Sequence, residues 1–419
     1  MTSVLERVQI NFLHKFVGRV VTAAVTVHGG LFLKMYLDGV IKISLAMYIG
    51  GGMWIALKRF YGLFYWVHLL GYSGIFSAAM FHSPMLRPYI ISAIVLHSAS
   101  TAWQLFKANK MNATLTALPG KFVMLEIPGL KSGWKPADQP ACTYRLDGVG
   151  QHIRIRMGNF SQILQAHPFT IATSSGNPLI LYIKVSGRFT RTIYTHAERA
   201  QEAEELELKP SNHSDVATLQ GNETTQTEGD DASEKRSSLP STNSSTIRLL
   251  VQGPYGGMGP HSMKDFGSVF LCVGGSGISY LTSTIMDIVT EKMNGRCSTK
   301  RIKALYVLQE WDAAQYFGKL LGIQMERAEM CGIDFELQIF VTKQEYSRYS
   351  QRTLDGIQVS WSRPKVNDLF REFLKTVTGG WGVGCGVCGP RSLSADLRKA
   401  VGGVSVGDAK RLGGITFYS

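Results

Sequence analysis

The chain has 419 residues, 45% of them hydrophobic, with 44 Lys and Arg against 31 Asp and Glu, a formal net charge of +13. That length leaves room for two or three domains. The basic balance suits an anionic membrane surface, and with no helix-turn-helix, zinc finger or other nucleic-acid module beside it, nucleic acid is excluded as a partner.

A mean hydropathy of +0.02 averages two unlike parts. Charges are sparse from Asn11 to Phe106 and absent from Phe60 to Met85. Four spans are predicted at about 11–34, 38–57, 60–82 and 86–106, so the first part reads as membrane and the rest as soluble. Nothing at the start resembles a cleavable signal peptide. Lys58-Arg59, Lys107, Lys110 and Lys121 place the ends they flank, and the C-terminal half, in the cytosol.

The first and third spans each hold two histidines fourteen residues apart, His14 with His28 and His68 with His82. On a helix that interval falls about 40° short of four turns and climbs about 21 Å, so both imidazoles of a pair share one face at two depths. With one span between them the two helices run parallel, and His14 meets His68 as His28 meets His82. Ionisable groups in lipid are costly and are kept for function. The pattern predicts two stacked b-type haems, each held by two imidazoles, positioned to carry electrons across the membrane. His97, alone in the fourth span, is read as a packed core residue.

Beyond Lys107 the sequence turns polar and glycine-rich. The segments 115–129, 152–157, 167–175, 179–187 and 247–257 are short, rich in branched and aromatic residues and separated by turn residues, which predicts an antiparallel barrel. The stretch 198–245 opens on a Glu-rich run, passes into Ser, Thr, Asn and Asp, and cannot bury a core; it is predicted to be a disordered insertion. Its sequons at Asn212, Asn222 and Asn243 are expected to carry no glycan, since both flanks belong to the cytosolic part.

An alternation follows: strand 268–275, helix 276–293, strand 302–310, helix 312–329, strand 335–342, helix 366–377, strand 382–390, then a helix from Ser392. This order predicts a parallel sheet with a nucleotide at the carboxyl ends of its strands. The turn Gly274-Gly275-Ser276-Gly277 joins the first strand to the first helix, where glycines and the free N–H groups of a helix start suit a pyrophosphate. All six cysteines lie in the soluble part without zinc-type clustering and are expected to be reduced. Cys385 and Cys388 have a redox-dithiol spacing but sit at a glycine-rich strand end, which argues against that role.

"HPFTIATSS", "GPYGG", "VGGSGIS" and "VCGPRSL", in this order behind paired membrane histidines, closely resemble the ferric reductase and NADPH oxidase superfamily, fungal ferric-chelate reductases above all. The resemblance implies an α-helical multi-span haem domain (1–110), an antiparallel β-barrel FAD domain (111–252) and an α/β parallel-sheet NAD(P)-binding domain (253–419), the last two ferredoxin-reductase-like. It assigns His167, Pro168, Phe169 and Thr170 to the flavin, Lys184 to the FAD pyrophosphate, and Gly187 and Thr190 to the same motif; a buried diphosphate needs such countercharge. It places Gly253, Pro254, Tyr255 and Gly256 in a loop beside the nicotinamide nucleotide and Gly274 to Ile278 at the dinucleotide pyrophosphate. Cys388, as catalytic residue, with Gly389 and Pro390, falls near the nicotinamide and flavin ring. Thr342, Lys343, Arg363 and Pro364 fall at the adenosine end.

The activity implied is transfer of electrons from cytosolic NADPH through FAD and two haems to extracellular ferric or cupric chelates, in the plasma membrane, with an iron permease or oxidase as companion. Equal histidine intervals favour this over the superoxide-generating oxidase branch, the alternative within the superfamily. Gln309 stands where many relatives have an arginine, so NADPH preference leans on Arg363 and Lys343. Relatives carry spans before the first histidine helix and an acidic, aromatic tail after "GGITFYS", so the chain is expected to be truncated at both ends. A non-catalytic homologue is the alternative from another class.

Overall fold

The computed structural model describes residues 84–128, 149–157, 165–173, 178–207, 246–257, 262–343, 351–354 and 356–419, together with isolated positions between 16 and 81. His14, His28, His68 and His82 lie outside the described residues, as do the three sequons. The chain divides into two units, Met1–Ala108 and Asn109–Ser419.

In the first unit the fourth predicted span forms helix α1, Arg87–Phe106, with Pro88 in its first turn. The apolar run at 90–96 gives way to His97, Ser98, Ser100, Thr101 and Gln104, and the Thr101 hydroxyl donates back to the His97 carbonyl. Among the described residues no helix is long and apolar enough to cross a membrane. The expectation of a span at 86–106 is corrected to that extent: the helix forms, but polar side chains interrupt its apolar surface.

The second unit opens with six antiparallel strands: β1 (Asn109–Leu118), β2 (Phe122–Ile127), β3 (Gln151–Met157), β4 (His167–Thr170), β5 (Leu179–Lys184) and β6 (Thr246–Gly256). Their order is β4-β3-β6-β1-β2-β5. The two edges approach each other where the Ala172 N–H, just past β4, donates to the Ile180 carbonyl of β5 at 2.8 Å, so the sheet curls into the predicted barrel. Alternation supplies its interior, with Val123, Leu125 and Ile127 of one strand meeting Leu181, Ile183, Ile153 and Ile155.

Helix α2 (Arg188–Glu207) follows β5 and covers that core with Phe189, Ile193 and Ala197, spaced by four residues. The predicted insertion is therefore corrected at its start: Glu198–Glu207, the Glu-rich run included, continues α2, because the apolar stripe persists through Ala197 and Ala200.

The remaining strands are β7 (Ser268–Gly274), β8 (Arg301–Leu308), β9 (Asp334–Val341), β10 (Gln351–Leu354), β11 (Ile357–Ser360), β12 (Val383–Cys388) and β13 (Ile415–Tyr418). They form one sheet in the order β10-β11-β9-β8-β7-β12-β13, parallel except for the β10–β11 hairpin. Helices α3 (Ile278–Met293), α4 (Trp311–Met330), α5 (Val366–Thr376), α6 (Arg391–Gly402) and α7 (Val406–Arg411) provide the crossovers. Chain order reverses between β7 and β12, which makes the crevice above those two strands the topological switch point where such sheets bind ligands. The hairpin β10–β11 and the segment α7–β13 went unpredicted.

Candidate functional site

The switch point is built by two motifs far apart in sequence. Gly274–Gly277 turns from β7 into α3, and Cys388–Gly389–Pro390 leaves β12, which pairs with β7 so that Cys388 lies beside Val273. The two turns pack without room for side chains. A methyl on Gly277 would strike the Cys388 carbonyl, and one on Gly389 would come within 3.0 Å of the Gly274 nitrogen. Gly275 takes a φ of +57°, open to glycine at little cost, and its carbonyl accepts from the buried Tyr306 hydroxyl at 3.1 Å. Ser276 is exposed at the turn, while Ile278 is buried and anchors α3. This is a glycine cradle at a helix start, the geometry that receives a pyrophosphate.

Cys388 is half-buried, and burial pushes its thiol above the ordinary range, so it stands at neutral pH as a thiol rather than a nucleophilic thiolate. Lys184 reaches the same neighbourhood from the barrel. Its stem lies 3.6 Å from where a Gly275 side chain would begin, and its ammonium is 5.4 Å from the centre of the Phe122 ring. Desolvation lowers its pKa, partly offset by Glu310. Lys184, expected at the FAD pyrophosphate, thus lies against the Gly274–Gly277 turn.

The flavin motif divides by strand alternation. His167 and Phe169 point to one face of β4 and both stack on Phe189 of α2, at 4.0 and 6.0 Å between ring centres, while Pro168 and Thr170 take the other face. Burial lowers the His167 pKa, and its Nε2 has no partner among the described residues. A neutral imidazole with an open nitrogen fits a ligand that offers polar edges beside an aromatic surface. At the start of α2 the Thr190 hydroxyl accepts from the N–H groups of Ser186 and Gly187, at 2.9 and 3.0 Å. Thr190 therefore shapes the turn in the manner of a capping box, leaving Gly187 exposed.

Sequence reasoning missed the cations there. A cleft of about 390 Å³ runs along α2 from Gly187, lined by Arg188, Arg191, Thr195 and Arg199. Positive side chains at a helix N-terminus oppose its dipole, so an anion between them relieves the conflict. The one-helix spacing of 188, 191 and 199 was the available signal.

Gly253, Pro254, Tyr255 and Gly256 close β6, in keeping with the strand expected at 247–257, and Tyr255 and Gly256 are in register with His152 and Gln151 of β3. Arg154 lies 5.2 Å over the Tyr255 ring. At the other side of the switch point, the Lys343 N–H donates to the Gln309 carbonyl and the Thr342 hydroxyl to that of Leu308, which ties the ends of β8 and β9 together. Arg363 is exposed past β11, followed by Pro364. Among the described residues no group of three or more His, Cys, Asp or Glu side chains could hold a metal ion.

A closed antiparallel barrel with a capping helix, joined to a doubly wound parallel sheet with a glycine cradle at its switch point, pairs an FAD-binding domain with a nicotinamide-dinucleotide-binding one. Residues 139–258 match the profile of an FAD-binding domain, and 266–402 that of the ferric reductase NAD-binding domain. The chain belongs to the ferric reductase family. It is 26% identical over 281 residues to ferric reductase transmembrane component 1 of Schizosaccharomyces pombe, covering 61% of this chain and 44% of that protein. To ferric/cupric reductase transmembrane component 1 of Candida albicans it is 24% identical over 288 residues, covering 62% and 31%. The chain thus spans less than half the length of these relatives. A ferredoxin-NADP+ reductase structure from Plasmodium falciparum aligns with 74% of this chain and 97% of its own at 13% identity and a TM-score of 0.40, too distant to add to the strand order.

Proposed function

We propose that the protein is a transmembrane ferric-chelate reductase, passing electrons from cytosolic NADPH through FAD and two b-type haems to ferric or cupric chelates outside the plasma membrane. The observation that carries the reductase half is the packing of Cys388–Gly389 on Gly274–Gly277, which forms one crevice from two motifs at the switch point. When bound, FAD supplies the exchange of a hydride for single electrons.

The chain's own residues supply position and charge. Arg188 and Arg191, with the exposed Gly187 backbone, would hold the FAD diphosphate, and His167 with Phe169 would flank the flavin. The Gly275–Gly277 turn and Lys184 would hold the dinucleotide pyrophosphate. Cys388, kept protonated by burial, would offer an uncharged, compact wall beside the nicotinamide, where a thiolate would instead be a nucleophile able to add to the ring. Lys343 and Arg363 would meet a 2′-phosphate at the adenosine end. The haem ligands His14, His28, His68 and His82 rest on their spacing alone, and ligation by two imidazoles suits electron transfer because no coordination position stays open.

The test uses the full chain in native membranes. A reduced-minus-oxidised spectrum should show a b-type Soret band that disappears in His68→Leu, and NADPH should reduce ferric chelate faster than it yields superoxide. A flavin-containing preparation with no haem signal would refute the electron path, and faster superoxide production would favour the oxidase branch.

A further inference from the structure

A cleft of about 610 Å³ opens where α6 leaves the sheet, lined by Gly389, Arg391, Ser394, Arg398, Lys399 and Ser419. Apart from Gly389, none of these residues has a place in the nucleotide sites proposed above. Strand β12 lies between β7 and β13, so the glycine turn after β7 is on one side of Gly389 and this cleft is on the other, between α6 and the end of β13.

Seven residues apart on α6, Arg391 and Arg398 share one face within about 20° and stand about 10 Å apart along the axis, with Ser394 between them. Leu393, Leu397 and Ala400 take the opposite face into the core. Folding does not account for the charge on the outer face. Arg391 opens the helix, where the dipole favours an acid, and the first turn has none. Arg391, Arg398 and Lys399 are all exposed, and none forms an ion pair among the described residues. Asp396, the one acid of α6, stands about 140° round the helix from Arg391 and does not line the cleft. The Arg398 guanidinium lies 5.5 Å from the centre of the Phe417 ring, which sets it along the wall.

Charge and neighbourhood together define an occupant. Like charges gathered in one concavity raise the local potential and draw in anions. A volume of this order takes a small molecule. Three cations and a serine hydroxyl suit an anion of two or three charges. Gly389 lines the cleft and adjoins Cys388, the wall assigned to the nicotinamide, so the anion is held beside the flavin site without displacing the dinucleotide.

We propose that this cleft is a second electron-acceptor site, which takes a small, multiply charged anionic metal complex and lets the flavin reduce it on the cytosolic side without the haems; this rests on the flavin and dinucleotide sites proposed above. NADPH and two ferric ions give NADP+, one proton and two ferrous ions. No bond to iron forms or breaks, because each electron passes to a complex that keeps its own ligands, and the proton goes to solvent. Arg391, Arg398 and Lys399 hold the complex; they take no part in hydride transfer.

The experiment uses the flavin-loaded full chain in sealed vesicles, with NADPH and hexacyanoferrate(III) both added outside. Neither crosses lipid, so only copies whose C-terminal half faces outward turn over, with donor and acceptor on one side. Wild type is compared with the double variants Arg391→Glu with Arg398→Glu and Arg391→Lys with Arg398→Lys. An uncharged quinone serves as a parallel acceptor, and flavin reduction by NADPH is followed by stopped-flow absorbance. R391E/R398E should raise the KM for hexacyanoferrate at least about tenfold, the low end of what a charged cleft contributes to substrate capture. Quinone turnover and flavin reduction should stay unchanged, and the lysine pair should behave as wild type. Added salt should slow hexacyanoferrate reduction by wild type far more than by R391E/R398E.

An unchanged hexacyanoferrate KM in R391E/R398E overturns the proposal, and so does an equal loss with the quinone, which marks a merely structural role. Should that variant fail to fold, Arg398→Gln alone must raise the KM for hexacyanoferrate and not for the quinone. A wild-type flavin that NADPH does not reduce refutes the parent reading. A flavin that is reduced but passes nothing to hexacyanoferrate on the same face refutes the acceptor site alone.

Discussion

Gly277 lies so close to Cys388 that a single methyl group on the glycine would collide with the cysteine carbonyl. That contact joins the first turn of the parallel sheet to the turn after its fifth parallel strand, and the crevice exists only while it holds. Gly277→Ala should lower stability by about 1–3 kcal/mol, the usual cost of overpacking, because the obstacle is backbone and cannot rotate away. The same variant should weaken dinucleotide binding while leaving flavin content near normal. Thermal unfolding and the dissociation constant of NADP+, measured together, check both parts.

Gly322→Ala provides the control. That glycine lies within α4, where an added methyl meets nothing within 4 Å. The substitution should be neutral or stabilising by up to about 1 kcal/mol, since alanine is the better helix former. A loss of NADP+ affinity in this variant would show that glycine replacement harms the sheet domain non-specifically.

Much of the parallel sheet was legible because its signals are local and repeated. β7 is a nearly continuous run of branched and aromatic residues, as both-faced burial demands, and β7 and β8 are each followed directly by a long helix. The hairpin β10–β11 escaped because four-residue strands carry too little alternation to register. Helix α2 went unpredicted because the Glu-rich composition from 198 onward masks Phe189, Ile193, Ala197 and Ala200, whose spacing marks a buried stripe. Lys184 illustrates a different limit. Its motif was recognised, but its placement against Gly275 depends on how the barrel packs on the sheet domain, which no local pattern encodes.

Cys385 and Cys388 occupy one strand, three residues apart. At about 3.3 Å per residue their α-carbons are separated by about 10 Å and their side chains take opposite faces, beyond any disulfide. Burial also raises both thiols above the ordinary range. Mild oxidant should therefore produce no intramolecular link between them, as read by the mass of the native protein's 385–388 peptide. Cys388→Ser should retain fold and flavin, whereas a bulkier Cys388→Leu should slow flavin reduction at least tenfold if the nicotinamide lies against this wall.

Thr190 acts on the anion cleft through Ser186 and Gly187, whose N–H groups its hydroxyl accepts. Thr190→Ala frees those groups and should cost about 1 kcal/mol, as loss of a helix cap does. FAD should dissociate more readily from T190A, and Thr190→Ser should restore most of its affinity because the hydroxyl returns. Isothermal titration of deflavinated chain with FAD distinguishes this from a general loss of stability, in which serine would give no rescue.

Glu291 ties α3 to the loop before β7. Arg296 reaches it with two nitrogens, at 2.8 and 3.1 Å, and Lys264 with one at 3.2 Å. The Arg296 hydrogen bonds hold its carboxyl down at about 2, against burial that pushes the other way, with Lys264 adding to the depression. In the unfolded chain the same group titrates near its ordinary 4.5. Its folded pKa is the lower one, so its contribution is complete above about pH 4.5 and is lost progressively as pH falls through about 2. Glu291→Gln keeps the shape and removes the charge, and should cost about 2 kcal/mol at neutral pH, the scale of hydrogen bonds to a charged group. The gap between wild type and E291Q should then close as pH falls from 4.5 towards 2. Urea unfolding at pH 7, 4 and 2.5 measures it, and a gap that stays constant across that window would mean that the carboxylate's ion pairs add nothing to folding.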